Sequence, residues 1–205
     1  MELLDKLIGK FAPHVCVACG QEGALLCVRC CSLLPDSAPR DRLHGLDSVR
    51  AATIYDSFAK DLVAGLKFQG TREAAGIMAR QMVPLVLKDK KAVIVPVPTS
   101  TKRVRQRGFD QADLIARELA KHTRLATGRY LKRHGHTHQI GASREQRLQQ
   151  LKSSFSLRKG TNLDGRRVIL VDDVTTTGAT LEAAAAMVRA AGPAYIEAIV
   201  FAQAE

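Results

Sequence analysis

The stretch from Val168 to Leu181, VILVDDVTTTGATL, runs from apolar residues into two adjacent aspartates and then into threonines and a glycine. Carboxylates accept hydrogen bonds from sugar hydroxyls or hold a metal ion. Hydroxyls and free backbone N–H groups at a helix start suit phosphate oxygens. In an open parallel sheet, ligands sit at the carboxyl ends of strands, so a strand over Arg167 to Val171 delivers Asp172 and Asp173 to that edge. Thr175, Thr176, Thr177 and Thr180 follow with hydroxyl donors, and Gly178 lets the backbone approach a ligand closely. The segment reads as one compact cradle, with a 5′-phosphate on the loop and ribose hydroxyls on the acids. The plainer alternative is a strand end that caps the next helix. Paired acids followed by T-T-G-x-T at this spacing favour the cradle.

The second chemical cluster is at the other end of the chain. All five cysteines lie between Cys16 and Cys31, in CVACGQEGALLCVRCC. Cys16 and Cys19 form one C-x-x-C pair and Cys27 and Cys30 another, the ligand set of a tetrahedral structural zinc. Two disulfides or a redox pair are the alternatives. A cytoplasmic location disfavours disulfides, and a thioredoxin-like motif needs only one pair. So short a stretch buries no core of its own, so the metal would supply its folding energy. Four thiolates leave no open position for catalysis. Cys31 can replace Cys30 in this set.

Charge points to a third region. Between Thr101 and Arg167 there are 17 Lys/Arg and 5 Asp/Glu, a net +12, so the whole excess of the chain (+11) sits in one third of it. A localised basic excess is either a solvated face or the footprint of a phosphate-rich partner. Lys102, Arg103, Arg105 and Arg107 fall within six residues and on an extended loop would track a phosphate backbone. Arg133 and Arg144 add to the same potential. Aromatic residues are scarce at 4%, which limits base-stacking platforms. The HGHTH tract around His136 lacks an acidic or cysteine partner and reads as a basic surface loop.

These residues need a scaffold. The chain has 205 residues and a globular composition. No apolar run reaches the roughly 18 residues of a spanning helix, and the first residues lack a signal-peptide cleavage site. We expect a protein of the cytoplasm with no membrane span. Val49 to Tyr55, Ala92 to Val97, Arg167 to Val171 and Tyr195 to Ala202 read as strands. Ser57 to Lys67, Arg72 to Leu87, Asp110 to Lys121 and Gly178 to Ala191 read as helices, with Pro84 predicting a kink or an early end in the second. The alternation predicts an α/β fold with a mainly parallel sheet flanked by helices. The expected organisation is an N-terminal helix and a small four-cysteine zinc module over 1–34, a linker, and one domain over 46–205.

The Val168–Leu181 stretch closely resembles the PRPP-binding motif of type I phosphoribosyltransferases. That resemblance implies their fold. It also implies that Asp172 and Asp173 bind ribose hydroxyls while Thr176, Thr177, Gly178, Ala179 and Thr180 cradle the 5′-phosphate. Further motifs narrow it. IVPVPTSTKRVRQRGFDQADLIAREL (94–119), QIGASREQRLQQLKSSF (139–155), the Tyr55-to-Gly70 segment ending LKFQG and the paired C-x-x-C module together resemble the competence protein ComF family. Three positions depart from the family pattern: Asp110 replaces an Asn, Gln146 a Glu and Gln150 an Asn.

The resemblance implies a loop after the AVIVPV strand that contacts pyrophosphate through Thr99, Lys102 and Arg103. It implies a hood over about 130–155 that covers the reacting carbon, with Arg147 as its functional residue. Two functions follow. One is magnesium-dependent phosphoribosyl transfer, with Asp172 and Asp173 positioning the ribose of PRPP. The other is handling of single-stranded DNA during natural transformation, alongside competence and DNA-processing proteins. In that role Lys102, Arg103, Arg105, Arg107, Arg133 and Arg144 contact the strand, and PRPP or another ribose phosphate is the small ligand. The second is the expected biological role.

Overall fold

Five parallel strands form the sheet that carries the domain. In chain order, β1 (Ser48–Ile54) leads to helices α1 (Ser57–Phe68) and α2 (Glu73–Met82), which a 3-10 turn (Val83–Leu85) ends at Pro84. Then come β2 (Ala92–Pro96), α3 (Thr101–Arg107), α4 (Gln111–Thr123), β3 (Ala126–Thr127), β4 (Leu131–Arg133) and β5 (Phe155–Leu157). After these follow β6 (Arg167–Thr175), α5 (Ala179–Arg189) and β7 (Tyr195–Gln203). The computed structural model describes residues 15–37, 43–68, 72–87, 89–134 and 154–204.

The sheet order is β1-β7-β6-β2-β3, and every pairing is parallel. β4 and β5 make a separate antiparallel ribbon. Strand alternation splits the core in two. Ile94, Ile169, Val171, Ile199 and Phe201 face α1, α2 and α4, whereas Val93, Val95, Val168, Leu170, Ala198 and Val200 face α5 and the ribbon. Both faces are covered, which is why these strands are apolar runs without polar alternation. Glu197, fully buried on β7, is matched by Arg50 and Arg167, and its acceptor sites are filled by them and by Ser48. This buried charge lies at the amino ends of the strands, opposite the candidate site.

The topology fixes where a ligand can sit. β2 and β6 are neighbours, with Pro96 opposite Val171. After β2 the chain leaves toward the face that carries α4, and after β6 it leaves toward the face that carries α5. Connections that diverge from adjacent parallel strands open a crevice at their carboxyl ends. The loops 97–100 and 176–178 border it.

The cysteine segment does not stand apart from this core. Cys16, Leu25 and Leu26 are buried in the same apolar cluster as α1, α2 and α4. The Thr53 hydroxyl donates to the Pro35 carbonyl at 2.8 Å, and the Gln81 amide donates to the Cys31 sulfur at 2.7 Å.

Two expectations are corrected. β6 does not end at Val171: it runs through both aspartates to Thr175, because β7 keeps pairing with it, Asp172 opposite Val200 and Thr175 opposite Gln203. The β-branched Val174 and Thr175 suit that extension. Lys102, Arg103, Arg105 and Arg107 lie on a helix, not on an extended loop. Their side chains are good helix formers, and Gly108, left-handed at φ 78°, caps the turn. Arg144 and Arg147, with most of the expected hood, lie outside the described residues, as does the expected N-terminal helix.

Candidate ribose-phosphate site and metal centre

Gly178 starts α5. It takes φ 82° as the N-cap of α5, a conformation that favours glycine, and the Ala179 N–H donates to the Thr177 hydroxyl at 3.4 Å. Thr176 and Thr177 are exposed, Ala179 and Thr180 half-buried, and Thr175 is buried inside β6. A Cβ on Gly178 would clash with both methyl carbons of Leu43, so the segment before β1 packs directly on this turn. The His44 N–H donates to Glu182 of α5 at 2.8 Å, fixing that segment.

The two acids differ in environment. Asp172 is half-buried and Asp173 is 4% exposed. Asp172 Oδ1 accepts the Asp173 N–H at 2.9 Å, and Asp173 Oδ1 accepts the Val174 N–H at 3.0 Å. Asp173 Oδ2 meets the Lys67 ammonium at 2.5 Å, from the last turn of α1. Burial and the neighbouring Asp173 charge push the Asp172 carboxyl well above the ordinary carboxylate range.

Cations surround the pair. Burial lowers the Arg133 pKa; Asp172 opposes this and Arg103 adds to it, so β4 brings this arginine to the acids. Its guanidinium also lies 5.1 Å from the Phe155 ring centre. Arg107 is likewise lowered by burial and by Arg103, against the pull of Asp173 and Asp110. Arg103 and Arg107, one helical turn apart, thus face the site. Lys102, Arg103 and Arg105 are exposed.

Asp110 braces the β2 side of the crevice. Its Oδ2 accepts the Thr99 N–H at 3.0 Å and its Oδ1 the Ala112 N–H at 3.1 Å, capping α4 while bracing the 97–100 loop. Burial outweighs these bonds and raises its pKa. Thr99 itself is 9% exposed. Farther along α4, Asp113 holds Arg129 through two bonds of 2.7 and 2.6 Å and Arg117 at 2.9 Å. Burial raises the Asp113 carboxyl, but these arginines outweigh it and hold it below the usual range. The Arg129 bond anchors the start of the segment that leads to β4.

Sequence reasoning missed Lys67, Asp113 and Leu43 as neighbours of the site. Lys67 follows the apolar stripe of α1 inside the LKFQG segment, so that motif held the signal, but the ion pair joins segments far apart in the chain.

Sγ atoms of Cys16, Cys19, Cys27 and Cys30 all lie within 4.8 Å of one another. Those of Cys19 and Cys27 are 3.8 Å apart. A tetrahedral zinc with bonds of about 2.3 Å separates its sulfurs by roughly 3.8 Å, so the donor set fits. Cys31 stands outside it, against Gln81. Burial raises the Cys16 thiol, but N–H groups of Cys27, Ala18 and Cys19 outweigh it and bring it to about 6. Cys30, raised by burial and by the neighbouring thiols, is pushed up to about 12. Four thiols this close resist ionising together until a cation offsets their charge.

Residues 104–205 match the phosphoribosyl transferase domain model. The competence protein ComFC of Bacillus subtilis is 31% identical over 180 residues, covering 86% of this chain and 72% of its own. The chain belongs to the ComF family of competence proteins. Competence protein F of Haemophilus influenzae is 35% identical over 147 residues, which span 66% of this ComF chain and 64% of that relative. Among solved structures, adenine phosphoribosyltransferase of Thermoanaerobacter pseudethanolicus is 16% identical, covering 67% of this chain and 83% of its own, with a TM-score of 0.42. The fold and the family expected from the motifs are both found. No helix among the described residues is long and apolar enough to cross a membrane.

Proposed function

We propose that this ComF protein holds PRPP or another ribose 5-phosphate at the β2/β6 crevice, and that it handles single-stranded DNA during natural transformation. The observation that carries the reading is the left-handed Gly178 opening α5, with exposed Thr176 and Thr177 beside it and Asp172 just upstream. The 5′-phosphate sits on the α5 N-terminus, where free N–H groups and the helix dipole favour an anion. Asp172 accepts from the ribose. Arg103, Arg107 and Arg133 offset the charge of pyrophosphate or of a DNA phosphate. Magnesium, bound together with PRPP, neutralises pyrophosphate oxygens.

Competence is named in the relatives, and the basic helix α3 gives a physical means. Lys102, Arg103 and Arg105 are exposed, so a strand laid along α3 would meet phosphate contacts and bind with a steep salt dependence. The cysteine module, with zinc, keeps its core residues in the domain and presents Val28 and Leu33 outward, 87% and 65% exposed, as a docking surface for DNA-processing partners. The test is fluorescence anisotropy of a labelled single-stranded oligonucleotide at several salt concentrations, with and without PRPP. Salt-steep binding that PRPP weakens is the expected result. No binding at low salt rejects a direct DNA role.

The phosphoribosyl transferase domain match favours a second reading, transfer of the ribose phosphate to a nitrogen acceptor. Pyrophosphate release from PRPP in a nucleobase screen tests it.

A further inference from the structure

The acid pair that would hold the ribose is not open on both members. Asp173 is 4% exposed, and both of its oxygens are engaged, one by the Val174 N–H at 3.0 Å and one by the Lys67 ammonium at 2.5 Å. Lys67 arrives from α1, an element outside the ribose-phosphate loop, and its side chain keeps 21% exposure.

A divalent cation bridging Asp172 and Asp173 needs oxygen ligands at about 2.0–2.6 Å from carboxylates that no other cation occupies. Lys67 occupies the buried one. We infer that Lys67 is a built-in counter-ion of the ribose site, which keeps divalent metal off the Asp172–Asp173 pair and lets a ribose 5-phosphate bind without metal. The inference rests on the ribose-phosphate reading above and deepens it: the preferred ligand class is a ribose 5-phosphate recognised through its sugar and 5′-phosphate, with magnesium entering only through a pyrophosphate group. Lys67 acts through Asp173 and is a positioning and specificity residue.

Two measurements test this on the full zinc-loaded chain. Calorimetric titration with ribose 5-phosphate is made in EDTA-free buffer depleted of divalent ions and again with magnesium. The wild type should bind in both, with affinities within about threefold. Manganese binding to the ligand-free protein is followed by electron paramagnetic resonance. The wild type should show no manganese bound at the acid pair, whereas Lys67→Met, which keeps the length and loses the charge, should gain a manganese site that Asp173→Asn in the same background removes. The same Lys67→Met change should weaken metal-free ribose 5-phosphate binding about tenfold, a difference of about 1.4 kcal/mol, and magnesium should restore part of it. Lys67→Arg should keep metal-free binding.

A wild type that binds ribose 5-phosphate only with magnesium overturns the inference, and this needs no variant to fold. So does a Lys67→Met protein with wild-type metal-free affinity. A wild type that binds neither ribose 5-phosphate nor PRPP, with or without magnesium, removes the ribose-phosphate reading itself.

Discussion

The cysteine module and the β6–α5 turn both gather ligand groups within about fifteen residues, yet they are stabilised in opposite ways. Four thiols crowd one point and oppose each other's ionisation, a donor set that suits a structural zinc. The turn needs none: β6 is paired on both sides, α5 packs on the sheet, and Gly178 supplies the one left-handed residue. A metal-made site should fail as a unit when its ion leaves. A backbone-made site should lose ligand before it loses fold.

The largest effect therefore belongs to the module. Zinc should be present at one ion per chain by elemental analysis. Cys16→Ser, or prolonged chelation, should lower the melting temperature by on the order of 10 °C, because Leu25 and Leu26 lose their place in the domain core at about 2 kcal/mol each. An unchanged melt after zinc removal would show that the module is held by packing alone and would erase the contrast.

Next is Gly178→Ala. Its φ of 82° strains any other residue by about 1 kcal/mol, and the added Cβ clashes with the Leu43 side chain. Phosphate-dependent affinity should drop at least about tenfold, with a loss of stability on the order of 1–2 kcal/mol. Leu43→Ala in the same chain should recover the packing part and leave the backbone part. A full recovery of affinity would mean that φ at this position is unimportant.

Far more of the module than of the crevice was legible in the sequence, and the reason is range. Cysteine spacing, the acid pair with its threonine loop and the apolar strands are local patterns, and the structure keeps them, except that β6 runs on through the acid pair to Thr175. Thr176, Thr177 and Gly178 are likewise on the turn. The partners that define the acids are not local. Lys67 reaches Asp173 from α1, the charge of Arg133 on β4 feels that of Asp172, and Leu43 reaches Gly178 from before β1. No periodicity encodes those pairings, which arise only when the sheet order brings distant segments to one edge. The helical α3 escapes a sequence reading for a related reason: seven residues are too few to show a period. Asp110 stands out as a departure from the family pattern, and the structure gives it two N–H groups to accept, a task that suits a carboxylate.

The acids also predict a pH response. The Asp172 pKa is raised on folding by burial and by Asp173, with Lys67 opposing and Arg133 nearby. A raised carboxyl binds more protons folded than unfolded, so stability should fall as pH rises from the ordinary carboxylate pKa of about 3.9 up through the raised value. Asp172→Asn should flatten that slope, read from denaturant unfolding at successive pH values. The Asp110 pKa, raised as well, should leave a residual slope. A slope unchanged by Asp172→Asn would show that this carboxyl is no more desolvated than in the unfolded chain.

The smallest effect sharpens the module side. Cys30 and Cys31 are adjacent, and sequence allows either as the fourth ligand. The structure places Cys30 Sγ in the four-sulfur cluster, and Cys31 Sγ 2.7 Å from the Gln81 amide. Cys30→Ser should therefore lose zinc together with the melting transition. Cys31→Ser should keep one zinc per chain and cost about 1 kcal/mol or less, since serine can still accept from Gln81. The Cys31 thiol, which burial raises, is poorly ionised, so alkylation in the folded protein should be slow at this residue. If Cys31→Ser released the metal while Cys30→Ser retained it, the ligand set would be Cys16, Cys19, Cys27 and Cys31. The bond to Gln81 would then have to yield, and the module would lose its polar anchor to α2.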